Sequence, residues 1–294
     1  MRSLLFVPGD SEKKLLKAFA SAADVVIIDL EDSVALANKA ASRRVAADFI
    51  QTQRQTTQAR IFVRINDLST DLAEDDLAAV VSEAVDGVML PKSNSGLDIQ
   101  QLDAMLRVHE ARAGVADGAI DIVPIITETP QAVFAGATYA NCSARLAGLS
   151  WGAEDLSAAI GARTARDETG RYTDVFRLAR AVTLLAASAA QIAAIDTVFP
   201  NFRDFAGFEA ECAEAERDGF TGKLAIHPDQ APIINAAFTP TAEAVQRSLA
   251  VIEAFAAAGD AGVVAIEGKM YDRPHLRLAE RLVARAASVG APTG

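Results

Sequence analysis

Short apolar runs alternate with helical stripes along this chain. The first run, residues 4–7, is stopped by Pro8, Gly9 and Asp10. From Ser11 the spacing changes: Leu15, Leu16 and Phe19 recur at helical intervals among Lys13, Lys14 and Lys17. Residues 24–30 then form a nearly unbroken, β-branched apolar run, the mark of a strand covered on both faces in a parallel sheet. It ends in Glu31, Asp32 and Ser33, and a helical stripe follows over 40–51.

The same unit recurs. Strands are predicted at 61–65, 88–90, 120–126, 145–149, 194–199 and 223–226. Helices are predicted at 71–84, 97–112, from 131 to about 136, at 175–191 and at 208–218. The polar, glycine-bearing stretch 161–173 reads as a loop over a site. A long helix at 242–258, a tail through 262–272 and a closing helix at 274–287 complete the chain.

Eight strand-helix units point to a TIM (β/α)8 barrel over 1–235, with a C-terminal helical extension or lid over 236–294. A doubly wound open sheet uses the same local units, but the strand count favours closure. Pro8-Gly9-Asp10 carries one glycine where a dinucleotide fingerprint needs three, and no Walker phosphate loop occurs.

With 294 residues, 51% of them apolar, there is material for a large core. A net charge of -11 argues against general binding to nucleic acid or an acidic membrane, although a local basic cluster can still take an anion. Cys142 and Cys212 have neither metal-ligand nor disulfide spacing, which fits a reduced cytoplasmic setting. The apolar run at the N-terminus is too short for a signal-peptide core. The Ala-rich stretch 181–195 is too short to span a membrane and reads as a buried helix.

In a barrel the chemistry sits at the C-terminal strand ends. Here those ends offer Phe6, Glu31, Asp32, Arg64, Lys92, Glu128, Glu154, Asp155, Asp196 and His227. If strands five and six are neighbours, Glu128 and Asp155 emerge side by side. Two or three carboxylates there would make a hard oxygen site suited to Mg²⁺, which keeps several waters. Alternatively, Asp155 only caps the helix that follows it. An unpaired buried Arg is costly, so Arg64 meets either these acids or an anionic ligand. Trp151 either walls the pocket or simply packs. His227 either contacts a ligand or fixes its turn, and His109 and His275 are expected on the surface.

At these strand ends the chain resembles a known family. LFVPG (5–9), DLEDSV (29–34), VRIN (63–66), LPK (90–92), GAED (152–155) and AIHP (225–228) occur in that order, with GKMYDRP at 268–274. Together they are similar to the citrate lyase beta-subunit-like proteins, with malyl-CoA and citramalyl-CoA lyases, in the HpcH/HpaI aldolase superfamily. The resemblance implies a Mg²⁺-dependent carbon-carbon lyase, with Mn²⁺ able to substitute, assembled as a homotrimer or hexamer. Such enzymes cleave a 3-hydroxyacyl-CoA thioester to an acyl-CoA and a small α-keto acid, or act as the lyase subunit of a citrate lyase complex on a carrier-bound citryl thioester. A non-catalytic CoA-binding barrel is the alternative of another class. By the same resemblance Glu128 and Asp155 are the metal ligands, and Glu31 and Asp32 hold metal-bound waters. Arg64 grips the keto acid, and Phe6, Lys17, Ile226 and His227 meet CoA. Asp272 is a general acid or base on the C-terminal lid, reaching a neighbouring subunit's site. Ser11 stands where the family usually has a basic residue.

Overall fold

The computed structural model describes residues 1–291. The chain forms two compact units, with the boundary after Asn235. In the first, eight parallel strands close into a barrel in chain order. They are β1 (Ser3–Pro8), β2 (Val25–Asp29), β3 (Arg60–Arg64), β4 (Gly87–Leu90), β5 (Asp121–Ile126), β6 (Gly148–Trp151), β7 (Ala193–Asp196) and β8 (Gly222–Ala225). The closed barrel leaves no sheet edge exposed and excludes the open-sheet alternative.

Its connecting helices are α1 (Glu12–Phe19), α2 (Lys39–Gln53), α3 (Leu72–Val80), α4 (Gly96–Ala113), α5 (Pro130–Phe134), α6 (Ala153–Ile160), α7 (Asp174–Ala190) and α8 (Phe205–Asp218). After β8 comes α9 (Gln230–Phe238), which the sequence pattern did not predict. Barrel closure is driven by the inward face of the strands. Leu4, Val25, Ile27, Phe62, Met89, Val123, Ile125, Ile195 and Leu224 form one buried cluster. Burying each such side chain contributes roughly 1.5–3 kcal/mol. Gly87 is required there, because a β-carbon would lie 2.4 Å from the Phe62 ring.

Several boundaries differ from those predicted, and three elements are cut short by three or four residues. β6 proper starts at Gly148; before it Leu146 makes only an isolated parallel bridge to Ile122, whose N–H donates to the carbonyl of Arg145. The Arg145 guanidinium is buried against Glu110, Asp103 and Asp117. β7 stops at Asp196, whose carboxylate is committed to a buried ion network. α3 stops at Val80, since Val81 is already extended.

The second unit holds α10 (Ala242–Ala258), β9 (Val263–Ile266), β10 (Lys269–Asp272) and α11 (Arg273–Ser288). The expected irregular tail is a β-hairpin. Glu267 and Gly268, at φ 50 and 78, form its two-residue turn, the conformation that suits hairpin twist. Val251, Phe255 and Ala279 make the unit's small core, joined by Val264 and Tyr271.

Candidate active site

Every second residue of a strand faces the same way. Ile27 and Phe62 lie in the barrel interior, so Asp29 and Arg64, two residues on, share that inward face at the strand ends. They pair closely. Arg64 Nε and Nη2 donate to the two Asp29 carboxylate oxygens at 2.7 and 2.6 Å. Arg64 Nη1 lies 3.1 Å from Glu31 Oε2. Its guanidinium also stacks on the Phe6 ring at 4.8 Å. Arg64 therefore meets the acids, chiefly Asp29, which the sequence argument had not paired with it. Three of its five N–H donors face these carboxylates, so two remain for a ligand.

Burial opposes ionisation of Asp29, but Arg64 outweighs it and holds the carboxyl below its ordinary range. Burial raises the Glu31 carboxyl, against the pull of Arg64 and Lys92. Asp32, at the same turn, stays well exposed, with its carboxylate 3.7 Å from Lys92 Nζ.

Glu128 follows β5 and is almost fully buried. Burial and the nearby charge of Asp155 push its carboxyl up to about 8. The Lys92 backbone N–H donates to Glu128 Oε2 at 2.5 Å. Two residues beside it have unusual backbones: Lys92 at φ 53 and Thr127 at φ 64. Such a conformation costs a non-glycine residue roughly 1–2 kcal/mol, and the β-branched Thr127 is the more strained of the two. Asp155 stands in the first turn of α6, which Gly161 ends in the left-handed conformation. The α6 N-cap residue is Gly152, with no side-chain cap, so Asp155 is not the cap.

Three observations test whether a divalent cation suits this place. First, a β-carbon on Gly152 would fall 2.7 Å from Glu128 Oε1, so the glycine leaves room for that carboxylate. Second, a cation already sits among the acids: Lys92 Nζ bonds Glu31 Oε1 and lies 3.6 Å from Asp155 Oδ1. Third, the hydroxyls of Thr127 and Ser150 are buried without hydrogen-bond partners among the described residues. Hard oxygen donors, two carboxylates and spare hydroxyls fit Mg²⁺ or Mn²⁺. Among the described residues no group of three or more His, Cys, Asp or Glu side chains forms a ready cage. The third direct carboxylate ligand considered from the sequence is thus not assembled, and a two-carboxylate site completed by water or substrate remains.

The other expected residues lie as follows. Ile226 and His227 are partly exposed after β8, and the His227 ring stacks on Phe202 at 4.9 Å. Gln230 Oε1 accepts from both their backbone N–H groups, and its Nε2 donates to Phe199 O, clamping two loops together. Lys17 is exposed in the last turn of α1. Asp272 closes β10 in the second unit and caps α11: it accepts from the His275 N–H, and its Oδ1 lies 2.5 Å from His275 Nδ1.

One open reading is decided and others are overturned. Trp151 is wholly buried and donates to Asp196 at 2.8 Å, so it packs. Ile195 faces the barrel interior, so its neighbour Asp196 faces outward. There it meets Lys223 at 2.9 Å and Arg180 at 3.2 Å, away from the mouth. His109 is buried, 3.2 Å from Glu74, where a surface position was expected. The 161–173 loop is anchored by Tyr172 against Trp151 and by Arg166 against Glu211. With α7 and α8 it borders a cavity of about 860 Å³ that holds none of the expected site residues. Lys92 instead borders a second cavity, of about 430 Å³, with Asp67, Asn94 and Thr129. The sequence pattern assigns no role to Lys92 or Gly152, although LPK and GAED contain them, and it places Asp29 in the acidic turn without pairing it to Arg64.

Comparison with known proteins agrees with this fold. Residues 2–228 match the family described as HpcH/HpaI aldolase/citrate lyase. Citrate lyase subunit beta of Escherichia coli K12 is 35% identical over 98% of this chain and 94% of its own length. The (3S)-malyl-CoA thioesterase of Cereibacter sphaeroides KD131 is 32% identical over 99% of this chain and 96% of its own. The crystal structure of protein CitE from Mycobacterium tuberculosis in complex with magnesium, acetoacetate and coenzyme A superposes with a TM-score of 0.75. It is 33% identical, covering 97% of this chain and 98% of that one.

Proposed function

The chain belongs to the HpcH/HpaI aldolase/citrate lyase family, and from that premise we propose that it is a Mg²⁺-dependent lyase that cleaves, or forms, a 3-hydroxyacyl-CoA such as malyl-CoA or citramalyl-CoA. The products of cleavage are an acyl-CoA and an α-keto acid. The observation that carries the reading is the meeting of Glu128, Asp155 and Arg64 at one barrel mouth. Glu128 and Asp155 would hold the metal, which when bound supplies a Lewis acid for the keto acid's oxygens.

The remaining work falls to the chain's own groups. Arg64, fixed by Asp29 on one edge and stacked on Phe6, directs its two uncommitted N–H donors to the keto acid's carboxylate. Cleavage passes the 3-hydroxyl proton to a carboxylate base and turns that carbon into the keto acid's carbonyl as the carbon-carbon bond breaks. It leaves an enolate on the thioester fragment, which must gain a proton at carbon. Asp272 is the proposed donor, delivered by the C-terminal segment of a neighbouring subunit in a homotrimer or hexamer. Glu31 and Asp32 hold water at the metal. Phe6, Lys17, Ile226 and His227 hold the CoA. A neighbour crystallised with magnesium, acetoacetate and coenzyme A supports magnesium and CoA as the ligands of this proposal.

The test is direct. Purified protein with Mg²⁺ and malyl-CoA or citramalyl-CoA should release glyoxylate or pyruvate together with an acyl-CoA. Release of neither keto acid, with metal present, would sink the reading. One observation favours a second substrate form: the E. coli relative is a citrate lyase subunit beta matched over nearly its whole length. Cleavage of a citryl thioester on a carrier protein, with no turnover of free CoA esters, would select it. A CoA-binding barrel without catalysis would keep CoA affinity and make no keto acid in either assay. Among the described residues no helix is long and apolar enough to cross a membrane.

A further inference from the structure

One residue touches both halves of the carboxylate site. The Lys92 backbone N–H holds Glu128 Oε2 at 2.5 Å. Its side chain turns to the other acids: Nζ bonds Glu31 Oε1, lies 3.6 Å from Asp155 Oδ1 and 3.7 Å from Asp32 Oδ2. This reach from one position depends on the left-handed backbone at Lys92, φ 53, just after the end of β4. The side chain is only about a third exposed, so its charge is weakly screened. Arg64, locked onto Asp29 and Glu31, does not reach Asp155 in the same way. Among the described residues the ammonium is the positive charge within 4 Å of the proposed metal ligand Asp155.

We propose that Lys92 is the resident counter-ion of the site, a tethered cation that holds Glu31, Asp32 and Asp155 together until a divalent ion displaces it from Asp155. The inference rests on the two-carboxylate metal site proposed above. A second cation cannot enter without meeting this charge, and two cations sharing Asp155 repel strongly at such range. Lys92 therefore sets the affinity for the metal and keeps the acids from repelling each other when it is absent. Its role is that of a positioning residue, because its contacts are with acids and not with reacting atoms.

The test uses the full-length metal-free protein, with Mg²⁺ alone as the probe. Isothermal titration compares wild type with Lys92→Met, which keeps the stem and removes the charge, and with Lys92→Arg, which keeps the charge. Lys92→Met should bind Mg²⁺ about tenfold tighter, and Lys92→Arg should stay near wild type. The metal-free melting temperature of Lys92→Met should fall and recover at saturating Mg²⁺. A purely structural lysine would lower it equally with and without metal. Should Lys92→Met not fold, the wild type still decides: acetic anhydride labelling read by mass spectrometry should modify Lys92 faster once Mg²⁺ is bound. Unchanged or weaker Mg²⁺ binding by Lys92→Met, or unchanged labelling of wild type, overturns the inference alone. No Mg²⁺ uptake by wild type overturns it together with the metal site.

Discussion

Gly152 and Glu128 approach so closely that a β-carbon at position 152 would lie 2.7 Å from Glu128 Oε1 and 2.9 Å from its Cγ. Gly152 has an ordinary extended backbone, at φ -124, so space and not conformation demands the glycine. Gly152→Ala should therefore push the carboxylate aside while leaving the barrel folded. The expected result is Mg²⁺ affinity weakened at least tenfold, equivalent to ~1.4 kcal/mol, with a melting temperature within a few degrees of wild type. Unchanged affinity would show that Glu128 does not hold the ion.

Glu128 also predicts a pH dependence for the metal-free protein. Burial and Asp155 raise its carboxyl to about 8, whereas an unfolded chain ionises it near the ordinary glutamate value of 4.5. Between those values the folded state binds a proton that the unfolded state has released, so stability falls as pH rises. The loss should grow from about pH 5 to pH 8 and amount to a few kcal/mol on the order-of-magnitude scale of such shifts. Glu128→Gln, which cannot ionise, should flatten the curve in denaturant titrations across that range. Saturating Mg²⁺ should flatten it in the wild type.

Arg64 is held in a fork by Asp29. A lysine keeps the charge but cannot make two parallel contacts. For Arg64→Lys, kcat/KM should drop roughly 30- to 150-fold, equal to ~2–3 kcal/mol for a charged hydrogen bond. In the condensation direction the effect should fall on the keto acid's KM more than on that of the acyl-CoA. An equal effect on both would place Arg64 outside the keto-acid site.

The barrel was legible in the chain because each strand is an apolar run cut off by polar residues, and period alone separates such runs from the helices. Strand-end acids and Arg64 were legible for the same reason. What the pattern hid was direction. Asp196 ends β7 like a catalytic acid, yet alternation turns it to the helix side, where Lys223 and Arg180 neutralise it. Arg145 does pair with β5 through its carbonyl, but no pattern shows that its guanidinium is buried on Glu110, 35 positions away. His109 sits in a helical stripe that reads as surface until the fold covers it. Lys92 stood in a noted motif, but its contacts depend on a backbone angle that no hydrophobic pattern encodes.

The outward Asp196 makes a stability prediction and not a catalytic one. Its carboxylate is fully buried and shared by Lys223, Arg180 and the Trp151 N–H. Burial opposes its charge, and Lys223 and Arg180 more than compensate. Asp196→Asn leaves Lys223 buried without full compensation and should cost ~3–5 kcal/mol in denaturant unfolding. At a temperature where the variant stays folded, kcat should remain within a few fold of wild type. A large loss of kcat in a stable variant would restore Asp196 to the catalytic group.

Asp272 poses the opposite problem, because its capping role and its proposed catalytic role must be separated. Its side chain accepts from the His275 N–H at the start of α11, and the His275 contact holds its carboxyl below the ordinary range. Asparagine caps a helix about as well as aspartate but cannot deliver a proton. Asp272→Asn should thus keep the melting temperature and lose most of kcat, whereas Asp272→Ala should lose both. If the acid acts on a neighbouring subunit, mixing the impaired Asp272→Asn and Arg64→Lys proteins should rebuild some intact sites. Activity should then reappear after subunit exchange, at a fraction of wild type set by the mixing ratio. Failure to recover, in mixtures shown by native mass spectrometry to contain both chains, would place the proton donor within one chain or on another residue.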